Sequence, residues 1–325
     1  MKAKTFFKFF LTFLVIFTLV LTPIFKAASN INLFKGGSIE SISSEMSVLV
    51  DPESPFFEAF TETERLNMMV VGVNQGMTDV IMMVSWDMKH DLVDVISVPR
   101  DTYYERPGYN SPGQKKINSI YNAEGIVGTA NAVSDVLYGM PINYYAVVDY
   151  EAVENIVNDI GGVPMNIEKT MEYKDPYDEP PLEIYIPAGY QVLDGEHAVQ
   201  FLRFRKGYAD GDIGRIRAQQ EFIKSAFKQC LSNGLVSSVK SVCNNVESDL
   251  TLGAASKYAL SAIGLKDDSI RTYMLPGEGQ YIGVTSYFVQ DTPGTEQMLT
   301  QIYSSPAPET EGESAGEGGD AQAAA

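Results

Sequence analysis

Eight consecutive residues, 66–73, restrict the fold more than any other part of the sequence, because six of them are Leu, Met or Val. An apolar run of this length is typical of a strand that is covered on both faces. Further strands are predicted at 80–85, 92–98 and 144–148. Helical patterns lie at 130–138, 151–160, 195–204 and 215–231. This alternation of strands and helices predicts an α/β domain.

Signals at the ends of these segments support the assignment. Asp149 and Asp194 each precede a predicted helix, where an aspartate side chain accepts hydrogen bonds from unpaired backbone N–H groups. Residues 87–91 predict a turn between the second and third strands. Nearer the C-terminus, we expect two more helices and two strands, at 271–275 and 281–289.

The N-terminus carries a signal for membrane insertion. Lys2, Lys4 and Lys8 precede an uncharged apolar run of 17 residues at 9–25. This length is at the short limit for spanning a bilayer, and the lysines keep the N-terminus in the cytoplasm. We therefore expect a single-pass cell-membrane anchor, with the body of the chain outside the cytoplasm. Small residues at 27–29 leave a cleaved signal peptide as the alternative.

The sequence predicts five parts. They are a cytoplasmic tip and transmembrane anchor (1–28), a stalk (29–64), the α/β domain (65–231), a C-terminal extension packed on or continuing that domain (232–304) and a disordered acidic tail (305–325). An extracytoplasmic location permits a disulfide between Cys230 and Cys243. A pair of unlinked buried cysteines is an equal alternative.

Charge limits the classes of partner. The chain has 42 Asp and Glu against 24 Lys and Arg, which gives a net charge of −18. Because such a surface repels phosphate backbones, we expect no binding to nucleic acid.

Against this acidic background, four of the eight arginines lie within 15 residues. They are Arg203, Arg205, Arg215 and Arg217. Arginine makes planar, bidentate contacts to phosphate, so the cluster predicts an anion-binding pocket. A solvated basic face paired with Asp210 and Asp212 is the alternative.

A second candidate site lies where predicted strands end. Arg100 and Asp101 follow the third strand, and Asp79 lies just before the second. Ligands of open α/β sheets bind at the carboxyl ends of strands. Carboxylates beside arginines fit a phosphate and a divalent cation together. For Asp101, an Asx-type turn or an ion pair with Arg100 is the alternative.

Several segments together resemble the LytR-CpsA-Psr family, in the family's order. They are residues 66–73 leading to 78–82, and then 97–102, 116–121, 160–163, 193–198 and 203–220. The resemblance covers about 65–231, and the N-terminal anchor matches the family's usual layout. It implies an α/β/α sandwich with a central mixed sheet on an N-terminal transmembrane anchor.

The resemblance also implies a function. Such proteins are extracytoplasmic phosphotransferases that move a phosphoglycosyl polymer from a polyprenyl-pyrophosphate carrier to a hydroxyl of peptidoglycan, attaching polymers such as teichoic acid or capsule polysaccharide. The implied catalytic residues are Arg100, Asp79 and Asp101. The implied pyrophosphate-binding residues are Arg100, Lys116, Arg203, Arg205, Arg215 and Gln219. A tunnel between sheet and helices would hold the lipid tail.

The resemblance implies Mg²⁺ (or Mn²⁺) as the cofactor. Asp79 and Asn74 are the implied ligands, and Asp212 lies in the loop that Arg215 and Gln219 would brace. Many family members have Asp, often followed by Ser-Arg, where this chain has Asn74-Gln75, so one carboxylate and one arginine are lost. At Ala218 the family often has Arg, and here Arg217 lies next to that position. A non-catalytic binder of lipid-linked glycan, or a hydrolase of polyprenyl pyrophosphate, therefore remains an alternative to the transferase.

Overall fold

A computed structural model describes residues 50, 53–62, 65–177, 181–205, 207–208, 211–232, 235–262, 265 and 269–304. The predicted anchor, nearly all of the stalk before residue 53 and the acidic tail lie outside these ranges. Within them, no helix combines the length and the apolar character needed to cross a bilayer.

A six-stranded sheet forms the centre of the described structure. Its strands, in spatial order, are β10 (Ile270–Met274), β3 (Leu92–Ser97), β2 (Met77–Asp87), β1 (Arg65–Asn74), β4 (Tyr144–Val148) and β9 (Glu247–Ser248). β1 runs parallel to β4, and β3 runs parallel to β10, whereas β2 is antiparallel to both of its neighbours. The prediction of an α/β fold with a central mixed sheet is confirmed.

Helices lie before, between and after the strands. They are α1 (Phe57–Glu62), α2 (Ile120–Val136), α3 (Tyr150–Asp159), α4 (Gly195–Arg203), α5 (Asp212–Ser232), α6 (Leu235–Asn245), α7 (Leu252–Ser261) and α8 (Thr292–Tyr303). The predicted caps are confirmed, since Asp149 accepts a hydrogen bond from the N–H of Ala152 at 2.8 Å and Asp194 from that of His197 at 2.9 Å.

The two faces of β1 are packed differently. Met69 and Val71 are fully buried in a core that contains residues of α2 and α8. On the opposite face, Val70 is only partly buried and packs near Ile223 and Phe227 of α5. Helices therefore cover both faces of the sheet, and the side next to α5 is the less tightly filled one.

The structure corrects three predictions. The helix predicted at 130–138 instead spans Ile120–Val136. The prediction starts too late because the first half of the helix holds glycines, including Gly125 with a φ of 65°, that weaken the helical pattern. Between α3 and α4 lie two unpredicted antiparallel pairs of five-residue strands, whose proline, glycine and charged residues leave no continuous apolar run. These strands are β5 (Val163–Ile167), β6 (Met171–Asp175), β7 (Leu182–Ile186) and β8 (Gly189–Leu193).

The third correction concerns the C-terminal part. The strand predicted at 281–289 is a hairpin of β11 (Gly277–Ile282) and β12 (Thr285–Gln290), folded at Gly283. An apolar run on both sides of a single glycine resembles one continuous strand. The described residues of the same part form three α-helices, α6, α7 and α8, rather than two, and contribute β10 to the central sheet.

Candidate active site

A tight hairpin turn begins the site. Gln75 and Gly76 connect β1 to β2 with φ angles of 50° and 77°, as a two-residue turn with both central residues left-handed requires. The strands thus extend further toward the turn than the sequence predicts. The register then shifts, because Val73 pairs with Thr78 and Gly72 pairs with Val80. Asp79 is the extra residue of this bulge, and bulges redirect side chains at functional sites.

Asp79 and Arg100 form an ion pair at the centre of the site. One guanidinium nitrogen of Arg100 lies 2.5 Å from Oδ1 of Asp79. The side chain of Asp79 is 27% exposed and that of Arg100 is 21% exposed, so a ligand can reach both. The hydroxyl of Tyr150 donates to the second oxygen of Asp79 at 3.4 Å, which is a long hydrogen bond.

Tyr150 joins this pair to the arginine cluster. The guanidinium carbon of Arg203 lies 5.0 Å from the centre of the Tyr150 ring. Burial and the Asp79 carboxylate raise the pKa of Tyr150 to about 12, against the opposing charges of Arg203, Arg215 and Arg205. The phenol is therefore neutral at physiological pH, and three guanidinium groups lie close enough to act on it.

The loop after β3 is held in place on two sides. The backbone carbonyl of Arg100 accepts from the N–H of Asn118 at 3.1 Å, and that of Asp101 accepts from the N–H of Phe288 at 2.9 Å. The ammonium of Lys116 lies 3.1 Å from the Asp101 carboxylate. The ion pair of Asp101 is thus with Lys116, which the sequence assigned to the same site, and the expected alternative of a pair with Arg100 is not found.

Helix α5 brings further predicted residues to this edge. Arg215 and Gln219 are both 4% exposed. The side-chain amide of Gln219 lies 3.5 Å from the carbonyl of Leu202, next to Arg203. Gln220 donates to Ser97 Oγ at 3.0 Å and to the carbonyl of Tyr273 at 2.7 Å. These contacts fix α5 against the ends of β3 and β10, so the position of the arginines depends on the sheet.

For two predicted residues, Asp212 and Asn74, the structure gives only their place in the fold. Asp212 is the first residue of α5, and its side chain and that of Asp210 lie outside the described part of the structure. Asn74 is the last residue of β1, at the hairpin turn. Their assigned roles remain predictions.

The donor set near Asp79 bears on the predicted metal. Within the described residues, no group of three or more His, Cys, Asp or Glu side chains is arranged to hold a metal ion. Magnesium, however, is commonly bound by one or two carboxylates together with substrate phosphates. Asp79, whose side chain is 27% exposed, fits an ion of that kind as a single carboxylate ligand and does not fit a site made of protein ligands alone.

A large apolar cavity lies on the face of the central sheet that α5 covers. Its volume is about 800 Å³. Its walls come from β1 to β4 and from α5, α6 and α7, and include Met68, Trp86, Phe227, Cys230 and Cys243. Phe227 also packs in the cluster that contains Val70 and Val80, so apolar side chains continue from the cavity toward Asp79.

The two cysteines are unlinked thiols, so the disulfide alternative is not found. Burial raises the pKa of both thiols.

Sequence reasoning missed two contributors to the site. Tyr150 follows Asp149 directly after β4, so the rule on strand ends that selected Arg100 also selects this position. Gln220 lies within a recognised segment, but nothing in the sequence shows that its amide reaches from α5 to β3 and β10.

Taken together, the fold and the site define a mixed α/β protein with a cluster of arginines around Asp79 and Tyr150 at one sheet edge and an apolar cavity behind it. The LytR_cpsA_psr family model matches residues 38–304, and the chain belongs to this family. The prediction made from the sequence motifs is confirmed, and the match extends beyond 65–231 in both directions.

Named relatives are moderately similar. The chain is 28% identical over 232 residues to the polyisoprenyl-teichoic acid–peptidoglycan teichoic acid transferase TagV of Bacillus subtilis, covering 69% of this chain and 58% of TagV. It is 26% identical over 273 residues to TagU of Oceanobacillus iheyensis, a transferase of the same name, covering 79% of this chain and 82% of TagU.

Solved structures agree on the fold. The crystal structure of B. subtilis TagV superposes with a TM-score of 0.63 at 22% identity, covering 74% of this chain and 98% of that one. A structure of TagT bound to LIIa-WTA gives a TM-score of 0.62 at 21% identity, covering 73% and 89%.

Proposed function

We propose that this protein is an extracytoplasmic phosphotransferase. It moves a phosphoglycosyl polymer from a polyprenyl-pyrophosphate carrier to a hydroxyl of peptidoglycan, and so attaches a glycopolymer such as teichoic acid to the cell wall. The names of the relatives TagV and TagU support teichoic acid as the polymer that is transferred and peptidoglycan as its acceptor. The predicted anchor holds the body at the outer face of the membrane, where the lipid carrier resides.

One observation carries the proposal. Asp79, Arg100 and Tyr150 meet three further arginines at one sheet edge, in a chain whose net charge is −18. A cluster of guanidinium groups in an acidic protein attracts a polyanion of high charge density, and pyrophosphate is such a group. Phosphoryl transfer depends mainly on positioning and charge neutralisation, which this cluster provides.

Each residue has a role in the proposed reaction. Arg100, Lys116, Arg203 and Arg205 bind the pyrophosphate oxygens. Arg215 and Gln219, buried in α5, position the segment that carries Arg203 and the start of α5 at Asp212. Tyr150 keeps its proton and orients the Asp79 carboxylate by a hydrogen bond.

The proposed chemistry exchanges one phosphorus–oxygen bond for another. The peptidoglycan hydroxyl oxygen forms a bond to the phosphorus that bears the sugar, and the bond from that phosphorus to the bridging oxygen breaks. Polyprenyl phosphate leaves with the electron pair of the broken bond, and arginines neutralise its added charge. The hydroxyl proton goes to a carboxylate, for which Asp79 and Asp101 are the candidates.

Mg²⁺ (or Mn²⁺) is the proposed cofactor. Asp79 and Asn74 would offer it oxygen ligands, and the substrate phosphates would complete the set. When bound, the ion would neutralise charge on the phosphoryl oxygens.

The cavity is the proposed site of the lipid tail. Arg215 and Phe227 lie 12 residues apart on α5, which corresponds to about 18 Å at the helical rise. The helix therefore joins the anion pocket to the apolar cavity, and the partly buried Val70 and Val80 lie along the way. A polar head and a long apolar tail match this order of surfaces.

A test separates the transferase from the two alternatives. Full-length protein is incubated with a polyprenyl-pyrophosphate glycan, with and without peptidoglycan oligomers. Transferase activity gives a glycan–peptidoglycan phosphodiester only when the acceptor is present. A hydrolase consumes the lipid substrate without acceptor, and a non-catalytic binder, which the loss of a carboxylate at Asn74 favours, retains it unchanged.

A further inference from the structure

The β11–β12 hairpin ends in an exposed apolar tip. Tyr281 is 77% exposed, Ile282 is 45% exposed and Val284 is 95% exposed. No charged residue occurs among the twelve residues 279–290, in a chain with 66 charged residues in total. An apolar, charge-free tip of this kind is typical of a contact with another apolar phase.

Folding of the hairpin does not account for these residues. Ile282 pairs with Thr285, so Gly283 and Val284 form a two-residue turn in which glycine supplies the positive φ of 66°. The second position of such a turn accepts polar residues, and Val284 gains almost no burial there. The valine is therefore available for an external contact.

The base of the hairpin lies against the candidate active site. The ring of Tyr287 lies 5.8 Å from the ammonium of Lys116, and its hydroxyl donates to the carbonyl of Pro112 at 3.0 Å. The N–H of Phe288 donates to the carbonyl of Asp101. The tip extends about 13 Å beyond Phe288, at the rise of a strand. A surface that holds the tip would therefore lie beside the pocket.

The start of the described chain meets the same region. Ser54 Oγ donates to the carbonyl of Tyr138 at 2.6 Å, and the Tyr138 hydroxyl donates to the carbonyl of Thr292 at 3.0 Å. Gln290, the last residue of β12, donates to the carbonyl of Val136 at 2.8 Å. The segment that leads from the predicted anchor and the base of the hairpin thus share the C-terminal end of α2.

We propose that the tip of the β11–β12 hairpin inserts into the interfacial region of the lipid bilayer. The inference deepens the proposed function, on which it rests for a substrate that stays in the membrane. Tyr281 would lie at the headgroup level, where tyrosine is favoured, with Ile282 and Val284 among the first acyl carbons. Insertion would orient the pocket toward the lipid-linked substrate.

The β6–β7 pair offers a matched control. Tyr177, which follows β6, is also 95% exposed. Its strands carry Glu172, Lys174, Asp175 and Glu183, and the N–H of Tyr177 donates to the Asp175 carboxylate, so this hairpin is charged. Exposure alone is therefore equal at the two positions, and only Val284 lies in a charge-free tip.

The test uses tryptophan as a depth probe in the full-length protein. Val284→Trp and Tyr177→Trp are each reconstituted into phosphatidylcholine–phosphatidylglycerol vesicles with or without brominated acyl chains, and the wild type supplies the background of Trp86. We expect bromine to quench the Val284→Trp signal several-fold more than the Tyr177→Trp signal. Equal quenching at the two positions overturns the proposal. The proposal is also overturned if the tryptophan of Val284→Trp becomes buried only as the protein concentration rises, since such burial indicates contact with a second copy of the chain.

A second variant separates this proposal from the proposed function. Replacing Tyr281, Ile282 and Val284 together by serine should lower transfer from a long-chain substrate in vesicles several-fold and leave the reaction of a short-chain, water-soluble substrate unchanged. Equal loss with both substrates contradicts a membrane role. If the wild type reacts with neither substrate, the transferase proposal fails, and the quenching experiment still decides the role of the tip.

Discussion

Replacement of Arg100 by alanine tests the centre of the site. The side chain is 21% exposed and its partner Asp79 is 27% exposed, so the ion pair contributes about 1 kcal/mol or less to the free energy of unfolding. A guanidinium that contacts the developing charge of a phosphoryl group contributes more, about 2–4 kcal/mol to the transition state. We therefore expect transfer to fall roughly 30- to 1000-fold with a small change in Tm.

The assay compares rates and stability in the same preparations. Transfer of a lipid-pyrophosphate glycan to peptidoglycan oligomers is measured together with thermal unfolding by circular dichroism. Arg100→Lys should restore little activity, because an ammonium cannot make the bidentate contact.

Arg271 is the matched control, at a different part of the sheet. Its side chain is 28% exposed and bonds both oxygens of the fully buried Asp94, at 2.6 and 2.9 Å. Arg271→Ala should lower stability by about 1–3 kcal/mol, since it weakens the hydrogen bonding of a buried carboxylate, and should leave the rate per folded molecule unchanged. Wild-type transfer by folded Arg100→Ala would refute the assignment of Arg100 to the pyrophosphate.

Four further outcomes are expected. Calorimetric titration should show weak Mg²⁺ binding in the wild type and tighter binding in Asn74→Asp, and the wild type should bind Mg²⁺ at full strength only when polyprenyl pyrophosphate is added. Asp79→Asn should abolish metal-dependent transfer, and retention of that transfer would assign the ligand role to Asp101, Asp210 or Asp212. Tyr150→Phe should lower transfer about 5- to 10-fold by removing one hydrogen bond to Asp79, and an unchanged rate would exclude the orienting role. Burial raises the pKa of Tyr150 and Tyr303 to about 12 whereas an unfolded tyrosine ionises near pH 10, so their contribution to stability is complete below about pH 10 and is lost as the pH rises toward 12, and chemical denaturation monitored by circular dichroism should show this decline. Because burial also raises the pKa of Cys230 and Cys243, alkylation by iodoacetamide should be slower than that of an exposed thiol, should accelerate with pH, and should be blocked by a polyprenyl phosphate, whereas labelling that is insensitive to the lipid would place the tail elsewhere.

The sequence predicts those parts of the fold whose patterns are long. The apolar run at 66–73 and the aspartate caps at 149 and 194 correspond to β1 and to the starts of α3 and α4. The strands β5 to β8 escape prediction because they contain Pro164, Gly189 and charged residues such as Glu172, and so lack the apolar run that marks β4, a strand of the same length. The turn at Gly283 escapes it because the residues on both of its sides are apolar.

The candidate site could be predicted only in part, for a different reason. Asp79 and Arg100 both lie at strand ends, so sheet topology is enough to bring them near one another. Their direct ion pair depends on the bulge at Asp79, and a bulge depends on the register between two strands. The contact of Arg203 with Tyr150 joins α4 to α3, and the sequence contains no local signal for a contact between separate helices.

Because α5 joins the arginine cluster to the apolar cavity, the relative position of these two parts depends periodically on the number of residues inserted into the helix. One residue inserted after Gln219 would turn everything downstream by about 100° and advance it by about 1.5 Å. Phe227 and Cys230 would then leave the cavity wall while Arg215 stayed in place. Four inserted residues would nearly restore the angle but would lengthen the spacing by about 6 Å. The distance between the two halves can therefore change only in steps of about one helical turn.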